Sequence, residues 1–385
     1  MYRSLCLLSI LLVNWAITFS VNAQETPYIT VDVRSGEVLS QYRPDHRWYP
    51  ASLTKLMTAY VTFRAIQAGE IADGSPVEIS TAATRQPPSR MGYKKGVRLR
   101  MDTALKIIII KSANDVSLAL AEAVAGDLKS FVGRMNYEAA RLGMSNSRFV
   151  NSNGLHDSGQ FTSARDMALL SARILTEFPQ YAYMFEAVAI KTPVKTHYSY
   201  NLLLERFPHT TGMKTGFVCA SGYNMVASAN VGARHVVSVV LGRSSQTDRA
   251  VAAAKLLQES ANSGGLGTIY GQRPTGALPK NMRPILCTKA AREGRYEPGA
   301  GQANIKSAYL NARTKSENIL AINVGGVDAA PSDAWLSRKL AVKGKIPVPV
   351  KRPNFDPVSG QIKLVAIGVA KSGQIAVPTP RPDKS

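Results

Sequence analysis

The apolar spacing of this chain changes period twice, and that order limits the folds open to it. Tyr28-Ile29-Thr30-Val31-Asp32-Val33 and Glu37-Val38-Leu39-Ser40-Gln41-Tyr42 flank Ser35-Gly36, so two strands joined by a tight turn are expected there. Past Pro50, Leu53, Leu56, Met57 and Tyr60 recur at three- and four-residue spacing, the mark of a helix whose apolar groups share one face. Helices are also expected from Asp102, as N-cap, through Ile110, and over Asn114 to Val124, Phe131 to Leu142 and Ala164 to Leu175. Strand spacing returns at Asn224 to Ser228 and His235 to Leu241, around a turn at Asn230 to Arg234, and Ala250 to Glu259 reads as a closing helix. Strands, then helices, then strands imply an α/β sheet domain that carries a helical insertion, with function expected at the junction.

The first 23 residues read as a secretory leader. Arg3 precedes an apolar run from Leu5 to Ile17, and Val21-Asn22-Ala23 places cleavage after Ala23. That run is shorter than the roughly 20 apolar residues of a spanning helix. The best later candidate, Ile107 to Ile110, lies between Lys106 and Lys111. An exported protein of the periplasm or cell envelope is expected, with no transmembrane helix in the mature chain. Cys6 leaves with the leader, and whether Cys219 and Cys287 pair stays open, because sequence does not supply the geometry a disulfide needs.

Residues 24–270 form the expected domain, and 45% hydrophobic composition is enough for a packed core. Residues 271–385 differ: they hold 12 of the 21 prolines, and 19 Lys and Arg against 7 Asp and Glu, +12 of the formal +21. Strand-like pieces at Ile319 to Val324 and Ile362 to Val369 are short, and 375–385 has the composition of a disordered or polyproline-like end. This basic extension is expected to be partly disordered. Its charge suits electrostatic contact with anionic cell wall or membrane surface, or serves only to solvate it. Export and the lack of a nucleic-acid motif exclude nucleic acid as a partner.

Three short motifs carry chemistry. Ser52-Leu53-Thr54-Lys55 puts a hydroxyl and an amine on one helical face a turn apart. A lysine acting as base there must lose its proton, which burial or a nearby cation promotes. Ser112-Ala113-Asn114 follows, and then Lys214-Thr215-Gly216. Singly, the first two read equally as helix caps and the third as a turn.

Together, in this order, the three motifs are the signature of penicillin-binding proteins and active-site serine β-lactamases. The wider stretches Pro50-Ala51-Ser52-Leu53-Thr54-Lys55-Leu56-Met57-Thr58, Lys111-Ser112-Ala113-Asn114-Asp115 and Asn153-Gly154-Leu155 resemble the low-molecular-mass D-alanyl-D-alanine carboxypeptidases, serine peptidase family S11. So do Thr162-Ser163-Ala164-Arg165-Asp166 and Gly212-Met213-Lys214-Thr215-Gly216-Phe217. The resemblance runs from about residue 28 to 262. It implies a β-lactamase/transpeptidase-like fold, an antiparallel sheet flanked by helices with a helical subdomain. It also implies removal of the terminal D-alanine from peptidoglycan stem peptides through an acyl-enzyme, with β-lactam antibiotics as covalent inhibitors.

The same resemblance assigns roles. Ser52 matches the nucleophile, Lys55 its base, and Ser112 with Lys214 the pair that passes a proton to the leaving amine. Asn114 matches the residue that holds the substrate amide, and the backbone N–H groups of Ser52 and Phe217 match the oxyanion hole. Lys214, Thr215, Gly216 and Arg249 match the strand and the cation that receive the substrate carboxylate, although Arg249 also reads as a helix-start arginine after a cap at Asp248. Two positions depart from the pattern: Thr211 stands where relatives often have aspartate, and Ala113 is small. Residues 271–385 match neither the small β-sandwich nor the amphipathic anchor helix of many relatives.

No cofactor is implied. The histidines form no metal motif and two cysteines do not build a zinc site alone. No Gly-x-Ser-x-Gly elbow points to an α/β-hydrolase. Rival readings are a DD-endopeptidase with the same residues, a β-lactamase, for which no glutamate motif is visible between Ser112 and Lys214, and an inactive wall-binding protein.

Overall fold

Period-two alternation divides between two cores in this molecule. The computed structural model describes residues 26–270, 275, 277–293, 305, 307–314 and 317–322, all of them in one compact unit. The leader expected over 1–23, the piece Ile362 to Val369 and the proline-rich end lie outside the described residues. The strands are β1 (Tyr28–Asp32), β2 (Val38–Tyr42), β3 (Pro76–Glu78), β4 (Arg98–Arg100), β5 (Ala189–Lys191), β6 (Thr196–Tyr198), β7 (Thr210–Val218), β8 (Gly222–Val231), β9 (Arg234–Arg243) and β10 (Ile319–Ala321). The helices are α1 (Thr54–Gln67), α2 (Thr81–Thr84), α3 (Met101–Ile110), α4 (Asn114–Ala125), α5 (Leu128–Arg141), α6 (Ala164–Glu177), α7 (Tyr183–Glu186), α8 (Gln246–Glu259), α9 (Arg283–Leu286) and α10 (Lys289–Glu293).

The main sheet has the order β2-β1-β9-β8-β7, antiparallel throughout. Its centre joins segments far apart in the chain, with Ile29 opposite Val239 and Val31 opposite Val237. Val226, Val237 and Val239 face a core shared with α1 and α6, while their neighbours Met225, Ala227, Val236 and Val240 pack against Ala250, Ala253, Ala254 and Leu257 of α8. One sheet therefore buries both faces, each strand supplying alternate residues to each side. β8 and β9 run longer than their apolar alternation suggests, because pairing continues to Val231 and Arg234 at the hairpin end.

α3, α4 and α5 form the helical lobe beside α1. Ile107, Ile108, Ile109 and Ile110 are all buried, so this run belongs to a core helix. Among the described residues no helix is long and apolar enough to cross a membrane. Two expected caps move. The cap of α3 is Arg100, and Asp102 lies inside the first turn, paired with Arg100 and Lys106. The cap of α8 is Ser245, whose hydroxyl accepts the Asp248 N–H at 3.0 Å, leaving the Asp248 carboxylate to bind Arg243 at 2.6 Å.

Beyond residue 270, the described pieces pack against this domain. Cys219, in the turn after β7, forms a disulfide with Cys287. Met282 and Leu310 are buried. β10, within the piece expected at Ile319 to Val324, pairs parallel with β5, Leu320 opposite Ile190.

Asp166 in α6 is a buried carboxyl group. Its Oδ2 accepts from the Asn146 N–H at 2.9 Å and the Ser147 hydroxyl at 2.6 Å, while Oδ1 is buried without a partner. Burial outweighs those hydrogen bonds and pushes the carboxyl up to about 7. The folded state then holds a proton that the unfolded chain has lost, so stability falls as pH rises from about 4 to about 7 and levels above. Asp166→Asn keeps an acceptor for Asn146 and Ser147 and cannot ionise. Denaturant unfolding at pH 4 and pH 8 should show it gaining on the wild type across that interval by on the order of 4 kcal/mol.

Candidate active site

The junction between the sheet lobe and the helical lobe is where the three motifs meet. Ser52 stands in the 3-10 turn Ala51–Leu53 that leads into α1, and the edge strand β7 passes directly over it. A side chain on Gly216 would put its Cβ 2.9 Å from the Ser52 nitrogen, so glycine alone allows this approach. Asn224 of β8 anchors the entering chain: its amide donates to the Tyr49 carbonyl at 2.9 Å and the Pro50 carbonyl at 3.2 Å.

Lys55, one helical turn on, has no exposed surface. Its Nζ donates to Ser52 Oγ at 3.2 Å, Asn114 Oδ1 at 2.8 Å and the Asn153 carbonyl at 2.6 Å. Burial lowers its pKa to about 7, although the Asp115 carboxylate pulls the other way. A lysine whose three partners are neutral oxygens, and which titrates near neutrality, can take a proton from Ser52.

A second pair faces the first. Ser112 lies on the short link between α3 and α4, held at φ +62°, a left-handed conformation costly for a serine and common where a side chain must be aimed. Lys214 of β7 donates to Ser112 Oγ at 2.9 Å and to the Thr215 carbonyl at 2.9 Å. Burial, then the charges of Lys55 and Arg249, push Lys214 well below the usual lysine range. Asn114 opens α4, and besides accepting from Lys55 it donates from Nδ2 to the Pro87 carbonyl at 2.9 Å.

Ser52, Ser112, Asn114, Thr215, Gly216, Phe217 and Arg249 line a cleft of about 640 Å³, with Lys55 and Lys214 buried behind the two serines. Arg249, in the first turn of α8, is buried and donates to the Gly216 carbonyl at 3.4 Å and the Tyr200 carbonyl at 3.0 Å. Burial brings it down to about 10, so it stays charged at neutral pH. Phe217 rests on the ring of Tyr223, centroids 4.3 Å apart. Thr211 does not line the cleft; its hydroxyl is turned to Ser228 and His235, each at 2.9 Å. Among the described residues no group of three or more His, Cys, Asp or Glu could hold a metal ion.

Sequence reasoning assigned no role to several residues that the fold brings here. The Asn153 carbonyl accepts from Lys55 Nζ, and the Asn153 side-chain amide donates to Gln86 at 2.8 Å. Asp115 accepts from the Met91 and Gly92 N–H groups at 3.0 and 2.8 Å, fixing the loop that forms one rim of the cleft. Ser89, Lys111 and Tyr200 also line it. The Lys111-Ser112-Ala113-Asn114-Asp115 and Asn153-Gly154-Leu155 stretches gave a signal in advance, but Lys111, Asp115 and Asn153 carried no assignment.

Gly154 sits at φ +85°, where an added Cβ would lie 1.9 Å from the Ala51 carbonyl oxygen. Gly154→Ala must therefore displace the turn that carries Ser52. Combining overpacking and left-handed strain, about 2 to 4 kcal/mol of destabilisation is expected, read as a lowered denaturation midpoint together with slower acylation of Ser52.

A sequence model of the family described as D-alanyl-D-alanine carboxypeptidase matches residues 16–245. Among curated proteins, D-alanyl-D-alanine carboxypeptidase DacA of Haemophilus influenzae is 35% identical over 257 residues, 62% of this chain and 65% of the relative. D-alanyl-D-alanine carboxypeptidase DacC of Escherichia coli is 39% identical over 229 residues, 58% and 57% respectively. The match thus spans less than two thirds of either relative. Among solved structures, penicillin binding protein 5 from Haemophilus influenzae superimposes with a TM-score of 0.58 at 34% identity, over 60% of this chain and 69% of that one. The antiparallel sheet flanked by helices is the penicillin-binding-protein fold, and with more than half of its length matched by the family model, this chain belongs to the D-alanyl-D-alanine carboxypeptidase family.

Proposed function

We propose that this protein is an exported serine-type carboxypeptidase that removes the terminal D-alanine from peptidoglycan pentapeptide stems. The observation that carries the reading is the convergence of Ser52 with two buried lysines, Lys55 at 3.2 Å from its Oγ and Lys214 at 2.9 Å from Ser112. Both lysines are held below their ordinary range by burial. The leader pattern and the Cys219–Cys287 disulfide favour an oxidising envelope compartment such as the periplasm.

In the first step neutral Lys55 takes the Ser52 proton as Oγ bonds to the carbonyl carbon of the penultimate D-alanine. The charge that develops on the carbonyl oxygen faces the N–H groups of Ser52 and Phe217. Collapse breaks the C–N bond, and the leaving nitrogen takes a proton from Ser112, which Lys214 resupplies. The proton that Lys55 took from Ser52 passes on to restore Lys214, so neutral Lys55 accepts a proton again as water attacks the Ser52 ester and returns it to Ser52 Oγ as the ester C–O bond breaks. Asn114 orients the substrate amide, while Thr215 and the buried guanidinium of Arg249 attract the terminal carboxylate. A β-lactam presents a carboxylate and a strained amide to the same groups, which supports penicillins as covalent inhibitors; the neighbour from Haemophilus influenzae is itself named a penicillin binding protein.

Material purified from the envelope fraction should release D-alanine from a pentapeptide muropeptide. Ser52→Ala should release none above background, a loss of about 10⁴-fold or more. Covalent penicillin labelling of the wild type without any D-alanine release would instead indict the carboxypeptidase reading and favour another leaving group. The second-order rate of penicillin acylation should also climb with pH through about 7 and level above it, because only neutral Lys55 accepts the proton. Acylation that is flat from pH 5 to pH 9 would remove Lys55 as the base.

A further inference from the structure

Lys111 is the last residue before Ser112, and no motif predicts its contacts. It belongs to the helical lobe, at the C-terminal end of α3. Its Nζ donates to Ser89 Oγ at 2.9 Å on its own side of the cleft and to Tyr200 Oη at 3.2 Å on the other. The ammonium also lies 5.3 Å from the centre of the Tyr200 ring. Tyr200 belongs to the sheet lobe, in the segment after β6, and its backbone carbonyl is held by Arg249 at 3.0 Å. One ammonium therefore joins the two walls of the cleft, at the end where Arg249 and Thr215 stand.

We infer that the Lys111–Tyr200 bridge closes the leaving-group end of the cleft and selects a small D-amino acid with a free carboxylate as the leaving group. This rests on the carboxypeptidase reading, which places the departing residue's carboxylate at Thr215 and Arg249. A departing D-alanine ends there, with a methyl group and a carboxylate. In a cross-linked stem the same amide bond breaks and the same Ser52 ester forms, but the leaving amine continues into a second peptide. That continuation has to pass through the space of the Tyr200 ring and the Lys111 side chain. The ammonium adds a positive charge that favours a terminal carboxylate over an extended chain. Tyr200 is 41% exposed, so the bridge is a surface contact that a bulky ligand can open at a cost, and it grades substrates without excluding any outright.

The test compares kcat/KM for two substrates with the same acyl donor: a pentapeptide monomer, which releases D-alanine, and a D-alanine-cross-linked dimer, which releases a second stem. The wild type should favour the monomer by about tenfold or more. Tyr200→Ala, which opens the wall, and Lys111→Met, which keeps its bulk and removes the charge and both hydrogen bonds, should each shrink that preference about tenfold. The readout is a ratio, so a general loss of activity or of folded protein does not move it. A ratio unchanged in both variants, or a wild type that cuts dimer and monomer equally well, overturns the inference while leaving D-alanine release standing. A wild type that cuts neither overturns the carboxypeptidase reading and this inference with it.

Discussion

The burial of the Lys55 side chain is the constraint on which the site depends. An ammonium out of water is costly unless each of its hydrogens finds an acceptor. Here the three acceptors come from three places: Ser52 in the turn that leads into α1, Asn114 at the start of α4 and the Asn153 carbonyl on the loop before Gly154. Satisfying one lysine thus fixes the relative positions of α1, α4 and that loop. The same burial brings Lys55 near neutrality, so the positional constraint and the chemical requirement have one cause.

Lys214 and Arg249 extend the logic across the cleft. Three basic groups are buried here, and the charges of Lys55 and Arg249 both bear on Lys214 in a medium that screens poorly. Their response differs with their chemistry. Burial brings Lys55 to about 7 and pushes Lys214 well below the usual lysine range. Arg249 begins higher and stays a fixed cation even at about 10. The same burial thus acts differently on two lysines and an arginine.

The sheet supplies the rigidity for this arrangement. β7 is an edge strand, yet the turn carrying Ser52 covers it and the disulfide from Cys219 to Cys287 ties down its far end. Leu286 presses against Gly222 at the start of β8, where a Cβ would meet it at 2.8 Å. The described residues beyond 270 thus pack against the domain that carries the cleft.

Most of the fold's order was legible in the chain, because it depends on local period. The hairpin at 28–42, the helices near 54–67, 114–125, 128–141 and 164–177, and the strands β8 and β9 all follow from spacings of two or of three and four. Ser52 and Lys55 share a helical face for the same reason. The short strands β5, β6 and β10 were not all legible, since three residues carry too little pattern and their pairing is set by distant partners. The caps at Arg100 and Ser245 were misplaced toward Asp102 and Asp248, because an aspartate fits both a cap and a first turn. What the sequence determined alone is therefore what near neighbours decide: element type, helical face and which polar side chains each element carries. Only the tertiary structure decided which carbonyl receives Lys55, that Cys219 meets Cys287, and that Lys111 reaches Tyr200, because each of these contacts joins residues too far apart in the chain for any local spacing to encode.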